Sequence, residues 1–216
     1  MKLGNTAISA LYLGNTAISK AYLGDNLVYA KSSLPYRELE YIESDGTQKI
    51  VLPEINVTDG FGSFVLNIRF TKSETAQRMG LANSAGKYWG IDTSNRFALA
   101  SGTYMSVSVS PFEWKTIEGS YDGNKATLSV DGTTISKAKS SAVSAYGTFC
   151  LLGIENSNSY NCYAQLAPSQ FFNTSGALVL DLVPVLDDDG IPCLYDKLAG
   201  GLYYSTVGNQ FGYKLK

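Results

Sequence analysis

The chain reads as all-β: a sandwich of two packed sheets behind a short β-repeat. Three observations carry this. Apolar residues recur at every second position through most of the chain, and helical spacing does not. Glycine-centred turn signals separate many of these runs at intervals of roughly 8–12 residues. Residues 3–30 repeat a ten-residue unit, as LGNTAISALY, LGNTAISKAY and LGDNLVYA.

Each repeat unit has a turn signal, Gly4-Asn5, Gly14-Asn15 or Gly24-Asp25, followed by a short apolar and polar run. Alternation puts Ile8, Ala10 and Tyr12 on one face of a strand and Ser9, Leu11 and Leu13 on the other. Three such strands predict a small meander, apolar on both faces. So small a sheet is marginal alone. Residues 1–31 are therefore read as an anchoring or oligomerisation segment that works by strand addition or self-association. Its attachment residues are Ile8, Leu11, Tyr12, Leu13, Ile18, Tyr22, Leu23, Leu27, Val28 and Tyr29. Identical repeats suit symmetric packing, so a homodimer or homotrimer is expected.

Lys31-Ser32-Ser33 is a polar connector, and residues 35–216 form the sandwich. Phe64, Leu66, Ile68 and Phe70 alternate with Val65, Asn67 and Arg69 in one strand. Met105, Val107 and Val109 alternate with serines in the next. Ala126, Leu128 and Val130 lead into a hairpin turn at Asp131-Gly132, and Asp122-Gly123 turns the chain before them. Phe149–Ile154 is apolar enough for a central strand. Tyr160, Cys162, Ala164 and Leu166 alternate, and Leu178–Leu186 is a long apolar run whose far end Pro184 demotes to an edge or bulge. So many short strands in one domain predict two packed sheets.

With 216 residues the chain accommodates one domain plus an appendage. A domain of about 150 residues or more buries roughly 70% of its unfolded surface and needs no staples. The formal charge of −2, without a basic cluster, gives no footprint for nucleic acid. No apolar stretch reaches the ~18 residues of a membrane span. The N-terminus lacks the pattern of a cleavable leader. The three cysteines, Cys150, Cys162 and Cys193, match no metal spacing. Cys150 is read as a buried inert thiol, with a Cys150–Cys162 bridge as the alternative. Synthesis in a reducing cytoplasm is expected.

Tyr121-Asp122-Gly123-Asn124 and Leu128-Ser129-Val130-Asp131-Gly132 resemble paired strands of laminin-G-like and concanavalin-A-like jelly rolls. Leu39-Glu40-Tyr41-Ile42-Glu43-Ser44-Asp45-Gly46-Thr47-Gln48 resembles the opening of lectin-like domains in phage and gut-bacterial surface proteins. Leu182–Val185, Gly190–Lys197 and Tyr203–Phe211 resemble their closing segment. The N-terminal repeat is similar to short repeats in phage structural proteins. The resemblance implies a concanavalin-A-like jelly-roll β-sandwich behind a β-repeat module, in a bacteriophage virion protein. The implied part is a head fibre, capsid decoration or tail-associated protein on the virion surface, made in the host bacterial cytoplasm. Its partners would be other virion proteins and itself, with host surface glycan as the alternative ligand.

No histidine is present, which excludes Ser-His-Asp and Cys-His catalysis and histidine-ligated zinc. No phosphate-binding loop occurs, and no cofactor or metal is expected. Glu38 and Glu40 would share a face at about 6.5–7 Å in an extended strand, a spacing that carboxylate catalysis uses. The competing reading, which is preferred, is a charged edge strand. The chain is accordingly expected not to be an enzyme. Asp187-Asp188-Asp189-Gly190 offers oxygen ligands to calcium, but a solvated turn is preferred. Tyr88, Trp89, Tyr104, Trp114, Tyr160 and Tyr163 are the aromatic candidates for sugar stacking. Tyr88, Trp89 and Tyr104 are the glycan-binding set, while Trp114 is assigned to the core. Core or rim packing is the competing reading for all of them.

Overall fold

The computed structural model describes residues 2–3, 6–7, 11–13, 16–18, 20–23, 26–30, 34–56, 62–73, 79–82, 88–91, 97–99, 103–105, 111–121, 125–138, 148–153, 162–207 and 209–216. The chain divides into two units, Met1–Arg37 and Glu38–Lys216.

The first unit holds three hairpins: β1 (Lys2–Leu3) with β2 (Thr6–Ala7), β3 (Leu11–Leu13) with β4 (Thr16–Ile18), and β5 (Lys20–Leu23) with β6 (Asn26–Ala30). Each is its own two-stranded sheet, not a strand of one meander. The reason lies in the turn. Gly-Asn and Gly-Asp are sequence signals for two-residue hairpin connections, and the pairs Leu3↔Thr6, Leu13↔Thr16 and Leu23↔Asn26 each leave two residues between them. In the third hairpin Tyr22 pairs with Leu27 and Ala21 with Tyr29, which leaves Val28 as a bulge. Ile8 lies outside the described residues. Leu11, Tyr12, Leu13, Ile18, Tyr22, Leu23, Leu27, Val28 and Tyr29 all lie on hairpin strands.

The second unit begins with β7 (Arg37–Asp45), β8 (Ile50–Asn56) and β9 (Gly62–Phe70). Next come β10 (Met79–Ala82), β11 (Tyr88–Ile91), β12 (Phe97–Leu99) and β13 (Thr103–Met105). These are followed by β14 (Lys115–Tyr121), β15 (Lys125–Val130), β16 (Thr133–Ala138) and β17 (Thr148–Leu151). The rest are β18 (Tyr163–Leu166), β19 (Ser169–Phe172), β20 (Leu178–Leu186), β21 (Pro192–Asp196), β22 (Leu202–Tyr203) and β23 (Gly212–Leu215).

They form two sheets. The smaller runs β13-β12-β11-β10-β17-β8; the larger runs β16-β15-β14-β9-β18-β7-β20-β21-β22, with β19 against β20 and β9 and β23 against β7. One apolar core takes Ile50, Leu52, Phe149 and Leu151 from the smaller sheet and Phe64, Leu66, Ile68 and Phe171 from the larger, so the architecture is an all-β sandwich. Across the interface the Phe149 ring meets Phe171 edge-on at 5.2 Å and Phe64 at 5.8 Å, arrangements aromatic quadrupoles favour.

Local expectations meet mixed outcomes. Asp131 and Gly132 both adopt positive φ (48° and 83°), the signature of a tight hairpin turn. β17 is interior, between β10 and β8. Val107 and Val109 lie outside the described residues. Pro184 ends nothing: it is buried within β20 opposite Leu194, and the strand continues to Leu186. All three cysteines are free and buried, so Cys150 and Cys162 are not bridged.

The IESDGTQ stretch folds as a self-capped turn. The Ser44 hydroxyl donates to the Gln48 carbonyl at 3.1 Å, and Asp45 Oδ1 accepts from the Thr47 amide and hydroxyl. Gly46, at φ +89°, lies so close to the Tyr163 ring that a Cβ there would fall 2.5 Å from it. That stretch needs those residue types for structural reasons.

Candidate functional site

The outward face of the larger sheet follows from its register. Phe64, Leu66, Ile68 and Phe70 are buried in the core; the alternate residues of β9, Ser63, Val65, Asn67 and Arg69, face away from it. Ile117 and Leu128 point inward on the next two strands, which turns Thr116, Glu118, Ser120, Thr127 and Ser129 outward. Cross-strand pairing sets Ser63, Ser120, Thr127 and Ser136 in one row and Val65, Glu118, Ser129 and Thr134 in the next. All of these except Ser136 line a shallow trough of about 200 Å³ with hydroxyls and one exposed carboxylate, Glu118. Asn67 and Thr116 continue the strip, with the Thr116 hydroxyl donating to Asn67 Oδ1 at 2.9 Å.

At the far end the strip becomes aromatic. The turn at Pro111–Trp114 carries Phe112 at φ 69° and 62% exposed, its amide donating to the Phe70 carbonyl at 2.8 Å. A bulky residue at positive φ is strained, and such strain gathers at functional sites. Trp114 is 40% exposed. Its ring lies 5.9 Å from that of Tyr41, and the Arg69 guanidinium stands over it at 5.6 Å. Arg69 pairs in register with Gln165, and Gln165 with Glu43. The Gln165 amide nitrogen donates to Glu43 Oε2 at 2.8 Å. Its Oε1, on a side chain only 4% exposed, has no hydrogen-bond partner among the described residues. Lys214 pairs with Glu40 at 2.8 Å; that carboxylate raises the ammonium's pKa, while nearby Arg69 opposes the rise.

Trp114, expected in the core, is at the surface. Trp89 pairs with Leu81 and Leu99. Tyr104 belongs to the other row of positions, Val51–Cys150–Gly80–Gly90–Ala98–Tyr104. Tyr88 and Trp89 lie on β11 and Tyr104 on β13, two strands away in the smaller sheet. Tyr163 is covered by Lys72, whose Nζ sits 3.6 Å from the ring centre, and Tyr160 lies outside the described residues.

The carboxylate candidates are structural. Glu40 and Glu38 pair with Lys214 and Lys216, which brings the C-terminal strand against β7. β7 is thus an interior strand and not the charged edge expected. Asp187 Oδ1 accepts from the amides of Ile191 (2.8 Å) and Asp189 (3.0 Å), and Oδ2 from the Tyr204 hydroxyl (2.8 Å). Those bonds, the Ile191 amide first, hold its pKa below the usual carboxylate value. Its carboxylate closes a turn and is already occupied by donors. No group of three or more metal-ligating side chains occurs among the described residues.

No protein-family model matches the chain, and no curated protein matches it in sequence. Solved structures do match its fold. One is a crystal structure from Bacteroides ovatus ATCC 8483 of a protein described, provisionally, as carbohydrate-binding. It superposes with a TM-score of 0.55 at 10% identity, over 93% of this chain and 66% of that one, so this chain spans just under two thirds of its length. The likeness is one of fold, the jelly-roll β-sandwich class.

Proposed function

We propose that this chain is a lectin-like, carbohydrate-binding module whose glycan lies along the outer strip of the larger sheet. The observation that carries the reading is Trp114: an exposed indole at one end of a strip of hydroxyls, amides and one carboxylate. Aromatic faces suit the apolar faces of sugar rings, and hydroxyls, amides and carboxylates suit their hydroxyls. Arg69 and Val65 are four positions apart on β9, roughly 13 Å. That span suits a short oligosaccharide better than a single sugar. The provisional carbohydrate-binding description of the Bacteroides ovatus structure agrees with this reading. The test is a glycan array probed with the full chain and with Trp114→Ala. Binding by the parent and its loss in a variant of unchanged melting temperature is expected; unaltered binding by the variant overturns the site. The strands that carry Tyr88, Trp89 and Tyr104 are the alternative surface, for which Tyr104→Ala is the matching variant.

A second reading concerns the N-terminal unit. Three hairpins, each a two-stranded sheet among the described residues, present open strand edges of the kind that accept strand addition. We propose that they attach the sandwich to a larger assembly or to further copies of itself. The repeat's similarity to phage structural proteins makes a virion surface the proposed assembly. Light-scattering mass of the full chain against a version starting at Ser32 tests it. Equal monomeric mass, together with protease resistance of residues 1–31, overturns the attachment role.

A further inference from the structure

We infer that the Trp114 end of the strip takes a carboxylate-bearing sugar, its acid group on Arg69 and a ring hydroxyl donating to Gln165 Oε1. The inference rests on the carbohydrate-binding reading above and narrows its ligand class.

Arg69 supplies the first half of the argument. Its guanidinium stands over Trp114, and among the described residues no carboxylate lies within salt-bridge distance of it. Stacking on an aromatic face leaves the in-plane N–H fork available, and that fork matches a carboxylate bidentately. The neighbouring cation is already committed, since Lys214 pairs with Glu40. Arg69 is thus the cation at this end with donors to spare.

Gln165 supplies the second half. Glu43 only accepts, so the amide nitrogen of Gln165 must face it, and the amide cannot turn round without setting oxygen against oxygen. Oε1 is therefore fixed as the unpaired acceptor in a side chain 4% exposed, and a ligand hydroxyl reaches it once the side chains above it give way. A buried acceptor left unpaired is costly, and a donor completes it. A sugar hydroxyl beside a carboxylate supplies one group of each kind, in the order that adjacent Arg69 and Gln165 require.

The anions nearby do not oppose this: Glu40 is paired with Lys214 and Glu113 with Lys115. Glu43 sits two strands from Arg69, roughly 10 Å, with one oxygen held by Gln165. Glu118 stands four residues along, opposite Val65, where the trough asks for neutral hydroxyls. The strip thus distinguishes an acidic residue at its aromatic end from neutral residues in the trough.

The experiment prints uronic-acid and sialic-acid oligosaccharides beside the same compounds with their carboxyl groups reduced to alcohols, together with neutral glycans. The probes are the full chain, Arg69→Gln, Arg69→Lys and Trp114→Ala. Binding to acidic members that falls about tenfold or more on reduction, a difference absent in Arg69→Gln and partial in Arg69→Lys, supports the inference. Binding indifferent to carboxyl reduction, or a preference unchanged in Arg69→Gln, overturns it and leaves the carbohydrate-binding reading standing. No binding to any printed glycan by the folded full chain overturns both.

Discussion

The side-chain amide of Gln48 donates to the main-chain carbonyl of Gln210 at 3.2 Å, across 162 residues of sequence. The same side chain accepts from the Asp45 amide through Oε1 at 2.9 Å and is 2% exposed. One residue therefore closes the β7–β8 turn and holds the approach to β23.

Gln48→Ala leaves the Asp45 amide and the Gln210 carbonyl without these partners, at a cost of about 2 kcal/mol. We expect a lower unfolding midpoint in urea and faster hydrogen exchange along β23. An unchanged exchange rate there means that the ion pairs of Lys214 and Lys216 hold the strand by themselves.

Gly62, at φ +72°, faces the backbone of the β19–β20 turn; a Cβ there would lie 2.1 Å from the Asn173 carbonyl oxygen. Gly62→Ala should cost about 2 kcal/mol or more, because backbone must move as well as strain. Gly132, at φ +83° with nothing within 4 Å of its Cβ, is the control. Its alanine variant should lose only about 1 kcal/mol. Equal losses would show that crowding at Gly62 is relieved without expense.

The Cys193 thiol is pushed up to about 12, first by burial and then by the charge of Asp187. Cys150 and Cys162 are buried as well. A thiol-specific chromogenic disulfide at pH 8 should therefore find no reactive cysteine in the folded chain and all three after denaturation. A fast equivalent in the native protein would contradict the packing around at least one of them.

Asp45, Asp131 and Asp187 all have pKa values held below the ordinary carboxylate value, chiefly by hydrogen bonds from Thr47, the Thr116 amide and the Ile191 amide respectively. A carboxyl whose folded pKa lies below its unfolded one contributes fully above the unfolded value, and that contribution disappears as pH falls through the folded one. Stability should hold near neutrality and decline below about pH 4. Urea midpoints at pH 7 and pH 3 check this, and Asp187→Asn should narrow the difference. A midpoint independent of pH would remove these turns from the acid response.

The alternation along Phe64–Phe70 made β9 legible because one side of that strand is core and the other is solvent. Asp131-Gly132 was legible because few other residue pairs tolerate two positive φ values. The N-terminal repeat was visible as a repeat, but its pairing was not. Period ten fits a meander and a row of hairpins alike, and only the register decides. Trp114 was misassigned for a related reason. Whether Trp114 enters the core depends on the turn at Phe112, whose positive φ no sequence rule expects of phenylalanine. Gln165 carried no signal at all: its neighbours Glu43 and Arg69 are distant in sequence and adjacent only across strands.

β7 has a consequence in time. Its partners are all distant: Glu43 bonds to Gln165, 122 residues downstream, and the strand's other edge is filled by β23. At about 5–20 residues per second, β7 emerges from a ribosome roughly 6–24 s before β18 exists to pair with it. During that interval a strand with Leu39 and Ile42 to bury waits with both edges bare, and closure over so long a loop is intrinsically slow. Yield in a foreign host should thus depend on what shields residues 37–45 until the far end of the sandwich arrives.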